Sequence, residues 1–121
     1  MTDLLNNNVD IELDGETVTL VPTLGAAMQV NKFFGGFLEA DRRIKQFDLE
    51  ATQIVVAFGL GKAAPKNVNE LVWKTGLAKL VAPAIEFVGI LANGGKRFVA
   101  EEEKPEEKPA GNAEVAEATA A

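Results

Sequence analysis

An α+β domain, in which an N-terminal β-hairpin packs on a bundle of four to five short helices and a disordered acidic tail follows, is the fold class this sequence predicts. Three observations carry that expectation. Apolar and polar residues alternate on both sides of Asp14-Gly15. Apolar residues then recur at helical spacing from Leu24 to Ala92, in stretches separated by Gly and Pro. From Ala100 onward the chain is mostly Glu, Lys, Pro and Ala, with one late Val and no aromatic residue. The expected organisation is therefore a flexible lead-in over 1–8, one folded domain over 9–95, and a tail over 96–121.

The hairpin is the clearest local signal. Asp14-Gly15 suits a two-residue type I′ turn, which needs positive φ at both positions. That turn sets a register in which Leu13 faces Glu16, Ile11 faces Val18 and Val9 faces Leu20. Asp10 and Glu12 share the other face with Thr19 and Thr17. Alternation and register agree, so one face is apolar except at the turn. Two strands alone are marginal, and the apolar face must lie on helices.

Pro22 cannot continue a ladder, and Thr23 can cap a helix. Leu24, Ala27, Met28, Val30, Phe33 and Phe34 give that helix an apolar side of about three turns. Gln29, Asn31 and Lys32 form its wet side, and Gly35-Gly36 breaks it. A second helix over Phe37–Gln46 places Phe37, Ala40, Ile44 and Phe47 on or near one face. Glu39–Arg43 and Asp41–Lys45 are i,i+4 pairs in the favourable order. These acids make Arg42-Arg43 a solvated face rather than a partner site.

Asp48 is a good N-cap for the next helix, and Glu50 in the first turn suits its dipole. No residue from Ala51 to Leu60 is charged. Ile54, Val55, Val56, Phe58 and Leu60 point nearly all round the wheel, so this helix must be covered all round. The β-branched run Ile54-Val55-Val56 would also suit a buried strand, but the cap and the length favour helix. Gly59 and Gly61 are expected to end it. Asn67 and Glu70 can form a capping box for the following helix. That helix is expected to run on to Pro83, which kinks or splits it, and to resume over Ala84–Ala92. Asn93-Gly94-Gly95 is the stop. Trp73, the single Trp, is read as a half-buried anchor.

Composition excludes several kinds of chemistry. There is no Cys and no His, so disulfide, thiolate and imidazole chemistry are absent and metal binding could use only carboxylates. There is no Tyr either. Gly59-Leu60-Gly61-Lys62 lacks the spacing and the strand–helix context of a phosphate loop. Asp10, Glu12 and Glu16 are the carboxylates of the body that cluster near a turn, and the alternating Asp10 and Glu12 read more simply as the wet face of the hairpin. Enzymatic activity and cofactors are not expected. The net charge of −6 is uneven: residues 101–121 hold seven Glu and two Lys, whereas the first hundred residues hold eleven acids and ten bases. A nearly neutral body with no basic stripe gives no ground for nucleic-acid binding. No apolar stretch reaches the ~18 residues that cross a bilayer, and the N-terminus MTDLLNNN lacks the pattern of a secretory signal. A soluble protein of a bacterial cytoplasm is expected.

The order of motifs carries a family resemblance. The hairpin V-x-I-x-L-D-G-x-x-x-x-L is followed by T-L-G-A-A-M, then by F-G-G-F-x-E-A and by F-D-L-E-A with an apolar helix ending G-L-G. Last comes V-W-x-T-G-L-x-x-L-x-x-P-x-x-E-F-V-x-x-L-A-N-G-G. Over Val9 to Gly95 this resembles the small tail proteins of gene transfer agents and related tailed phages and prophages of α-proteobacteria, classed as tail tube or tail assembly chaperone proteins. The resemblance implies a non-enzymatic role in tail morphogenesis. A tail assembly chaperone would hold the long, helical tape measure protein until tube subunits polymerise around it. The alternative is a structural subunit of the tail, with the tube protein as neighbour, although one hairpin supplies little of the sheet a tube subunit usually needs. A chaperone needs apolar helix surface to cover its client. The candidate contact residues are Phe33, Phe34, Phe37, Trp73, Phe87 and Leu91. Self-association is a further way to cover the surplus apolar surface. No role carries over onto the tail after Gly95.

Overall fold

The computed structural model describes residues 6–97. The expected fraying of residues 1–5 and the acidic stretch from residue 98 lie outside the described residues. Strands β1 (Val9–Leu13) and β2 (Glu16–Leu20) form an antiparallel hairpin. Helices α1 (Leu24–Phe34), α2 (Phe37–Lys45), α3 (Leu49–Leu60), α4 (Val68–Thr75) and α5 (Leu77–Ala92) follow, with a 3₁₀ turn at Gly61–Ala63. The fold is the α+β arrangement expected from the sequence.

The hairpin has the register that the turn dictates. Val9 pairs with Leu20, Ile11 with Val18 and Leu13 with Glu16. Asp14 and Gly15 take φ values of 52° and 93°, the two positive angles a type I′ turn requires. Val9, Ile11, Leu13 and Leu20 are buried. Thr19 Oγ1 donates to Asp10 Oδ1 at 2.7 Å across the wet face. The turn is also fastened to the helices: the Asp14 amide donates to Thr75 Oγ1 at 2.7 Å, and that hydroxyl donates to the Leu71 carbonyl at 2.8 Å.

Helix α3 is the central element, packed on α1, α2, α4, α5 and β2. Asp48 caps it by accepting from the Ala51 amide at 3.0 Å. Val55 and Val56 are fully buried, and Ile54, Ala57 and Phe58 are partly buried against the core. A helix uncharged from Ala51 onward is thus enclosed on most sides, as its composition demands. Gly59 does not end it. The helix runs through Gly59 to Leu60, and Gly61, at φ 57°, is the cap. The Gly59 carbonyl accepts from the Val21 amide at 2.9 Å, which joins the end of α3 to the exit of β2.

Other local expectations are corrected. The buried side of α1 is Ala26, Val30 and Phe34, while Leu24, Met28 and Phe33 are exposed. Apolar residues occupy both sides of this helix, and packing on α2 and α3 selects one. In α2, Ala40 and Ile44 are buried and Phe37 is partly buried, while Phe47, beyond the end of the helix, is exposed. Asn67 makes no side-chain cap, so the Asn67–Glu70 box does not form; Glu70 instead pairs with Lys74 at 3.3 Å. The long helix breaks at Gly76 and not at Pro83. Gly76 takes φ 99°, outside the helical region, and α4 and α5 meet there with a bend of 116°. Pro83 lies inside α5, which continues past it. Helix α5 then supplies the centre of the core, with Phe87 fully buried.

Candidate interaction surface

Ion pairs account for most of the charge on α2 and the start of α3. Lys45 pairs with Asp41 at 2.9 Å, as the spacing suggests. Glu39, however, bonds Arg42, one residue short of the expected Arg43. Arg43 turns the other way, donating to Asp48 at 2.8 Å and lying 3.6 Å from Glu50. Its guanidinium also sits 5.3 Å from the centre of the Phe34 ring, within cation–π range. The Arg43 hydrogen bond, helped by the Ala51 amide, holds the Asp48 carboxyl below the usual aspartate range. The basic pair Arg42-Arg43 is therefore matched by its own neighbours.

Asp10 is held by Thr19, and Glu12 and Glu16 are exposed. Among the described residues no three His, Cys, Asp or Glu side chains are placed to hold a metal ion. No single described helix is long and apolar enough to cross a membrane.

The six aromatic and apolar contact candidates divide sharply. Phe34, Phe87 and Leu91 are buried and build the core. Phe37 is partly buried against that core. Only Phe33, 47% exposed, and Trp73, 65% exposed, lie at the surface. Trp73 is more open than a half-buried anchor, because the buried side of α4 is formed by Val68 and Val72.

Sequence reasoning missed other exposed residues. Leu24 is 76% exposed and Met28, one turn on, is 62% exposed. Leu24 borders a hollow of about 190 Å³ shared with Pro22, Leu91 and Gly94. On the other flank of α1, Phe33 stands edge-on to Phe34, with ring centres 4.9 Å apart. There Gln29, Lys32 and Phe33 face Phe58 of α3 across an open groove of about 550 Å³. The available signal was the i,i+4,i+8 series Ala26, Val30, Phe34, which fills one face and leaves Leu24, Met28 and Phe33 outside it.

Comparisons with protein-family models, with curated proteins and with solved structures find no match to this chain.

Proposed function

We propose that this protein is a polypeptide-binding factor of phage-like tail morphogenesis, a tail assembly chaperone that covers apolar helices of the tape measure protein. The observation that carries this reading is the large apolar surface left exposed on α1, Leu24 and Met28 on one flank and Phe33 on the other. Support also comes from the motif order over Val9 to Gly95, which resembles small tail proteins. Exposed apolar surface attracts a partner, because covering it removes it from water at roughly 25 cal/mol per Å². A surface kept on a helix is firm before the client arrives, so little ordering entropy opposes binding.

Co-purification with the tape measure protein of the same tail tests this. The full chain should capture it, and Phe33→Asp should weaken capture while leaving the circular dichroism spectrum unchanged. Phe87→Asp, by contrast, should unfold the domain, because a carboxylate would be buried without a partner. A chaperone should also be missing from finished particles by mass spectrometry. A folded protein that ignores the tape measure would overturn the proposal.

A further inference from the structure

The last described residue, Arg97, stands at the wall of a hollow on α5. Glu86, Gly89 and Ile90 lie at i, i+3 and i+4, so they share one face of that helix. Together with Arg97 they line a space of about 290 Å³. Gly89 brings no side chain to it, and Ile90, only 2% exposed, is its large apolar wall. The Glu86–Arg97 ion pair gives it a polar rim. Arg97 is itself held firmly. Its amide donates to Asn7 Oδ1, and its guanidinium donates to the Asn6 and Asn8 carbonyls and pairs with Glu86. The next α-carbon lies about 3.8 Å from that of Arg97, so residue 98 departs from the wall of the hollow. That residue is Phe98, the last aromatic of the chain. Beyond its neighbour Val99, the only large apolar residue is Val115.

We infer that the Phe98 ring seats in this hollow, over Gly89 and against Ile90. The tether selects the occupant. A ring joined to the wall by one peptide unit docks without the loss of translational freedom that a separate molecule suffers. A client or a second copy of the chain would first have to displace it. The seat therefore belongs to the chain's own C-terminal segment, and it does not depend on which partner the exposed side of α1 meets. It also fixes where the acidic stretch starts. Glu101 follows three residues after the ring, so the seven Glu and two Lys of residues 101–121 leave from the corner where α5 meets the start of β1.

Nuclear Overhauser contacts in the full chain test this directly. Phe98 ring protons should be seen from the Ile90 methyl groups and from the Gly89 α-protons. In thermal melts, Phe98→Ser should lower the midpoint by about 5 °C or more, and Val99→Ser should lower it by less. Gly89→Leu supplies a second reading, because its side chain competes for the same space. It should erase the Phe98–Ile90 contacts and leave the wild-type midpoint unraised, yet raise the midpoint of Phe98→Ser, where the space is free. Gly89→Leu raising both midpoints equally would mean that no ring sits in the hollow, and overturns the inference. So does a Phe98 ring without contacts to Ile90, even if Phe98→Ser melts early, because the ring then packs elsewhere. A larger loss from Val99→Ser than from Phe98→Ser assigns the seat to the wrong residue. Contacts that appear between labelled and unlabelled chains in a mixed sample place the ring of a second copy there, and overturn the inference as well.

Discussion

Gly59 sits where β2 and α5 close on the central helix. A Cβ built there would lie 2.9 Å from Leu20 Cδ2 and 3.0 Å from Phe87 Cε2, closer than carbon atoms pack without displacement. Gly→Ala within an exposed helix normally stabilises, by roughly 1 kcal/mol. Here the sign should invert. Leu20 and Phe87 are both fully buried, and forcing them apart costs about 1–3 kcal/mol. Gly59→Ala should therefore lower the denaturation midpoint in urea without changing the slope. Asp48 carries a second residue-scale prediction. Its carboxyl titrates below the ordinary aspartate range because Arg43 and the Ala51 amide bond the charged form. A depressed folded value means stability that is present above the unfolded pKa and is lost as pH falls through the folded value. Asp48→Asn keeps a capping oxygen but has no charge to lose. Thermal melts should show the gap between wild type and Asp48→Asn closing as pH falls below about 4. A gap that stays constant would mean that the carboxylate adds nothing beyond the cap. The cap was legible because Asp48 serves amides within three residues of itself. The role of Gly59 was not, because it depends on side chains that arrive from residues 20 and 87.

At the scale of elements, the same division recurs. The hairpin register, the Thr23 and Asp48 caps and the Gly35 stop were legible because each is settled by short-range geometry. The outward face of α1 was not, since Leu24–Met28 and Ala26–Val30–Phe34 are both apolar series on one helix and only packing chooses between them. The break after Thr75 is not legible, because Pro83 is the stronger sequence signal, whereas Gly76 adopts the backbone angle that turns the chain. The candidate site is legible residue by residue but not as a site: Phe33 reads as apolar, Lys32 as exposed and Phe58 as packed on the core, and each is so, but nothing in the sequence shows that α1 and α3 bring them to one groove. The junction of α2 and α3 hid a further feature. Phe47 takes φ 60°, its amide donates to the Ile44 carbonyl at 2.9 Å, and the Asp48 amide donates to the Arg43 carbonyl at 3.2 Å. This is the Schellman pattern, with Phe at the position where Gly is preferred. A left-handed conformation costs a residue with a side chain roughly 1–2 kcal/mol. Phe47 is also exposed and is not packed against the core, so little opposes its replacement. Phe47→Gly should raise the melting temperature, by an amount that corresponds to about 1 kcal/mol. A fall instead would show that the ring contributes packing that outweighs the strain.

For the molecule as a whole, the two ends of the folded unit are tied by one residue. The Arg97 amide donates to Asn7 Oδ1 at 2.9 Å. Its Nε donates to the Asn6 carbonyl at 3.1 Å and its Nη2 to the Asn8 carbonyl at 2.6 Å. Its Nη1 pairs with Glu86 of α5. The folded unit therefore runs past Gly95 to Arg97, and Asn6–Asn8 are held in place, where composition alone suggested a loose lead-in. No sequence pattern announces a clasp between residues ninety positions apart. Its mechanical consequence falls on β1, which Asn8 directly precedes and whose one strand partner among the described residues is β2. A two-stranded ribbon has little cooperativity of its own, so its open end depends on such fastening. Arg97→Ala should let the start of β1 fray: amide exchange should rise at Val9 and Ile11 and stay unchanged in α3, and the melting temperature should fall by a few degrees. Arg97→Lys should rescue little of this, because an ammonium can keep the Glu86 pair but cannot fork to two carbonyls. Lys96→Ala, beside it, should change neither measurement. Uniformly faster exchange across all elements would instead make Arg97 a general contributor to stability rather than the fastening of one edge, and equal exchange in wild type and Arg97→Ala would remove the clasp altogether.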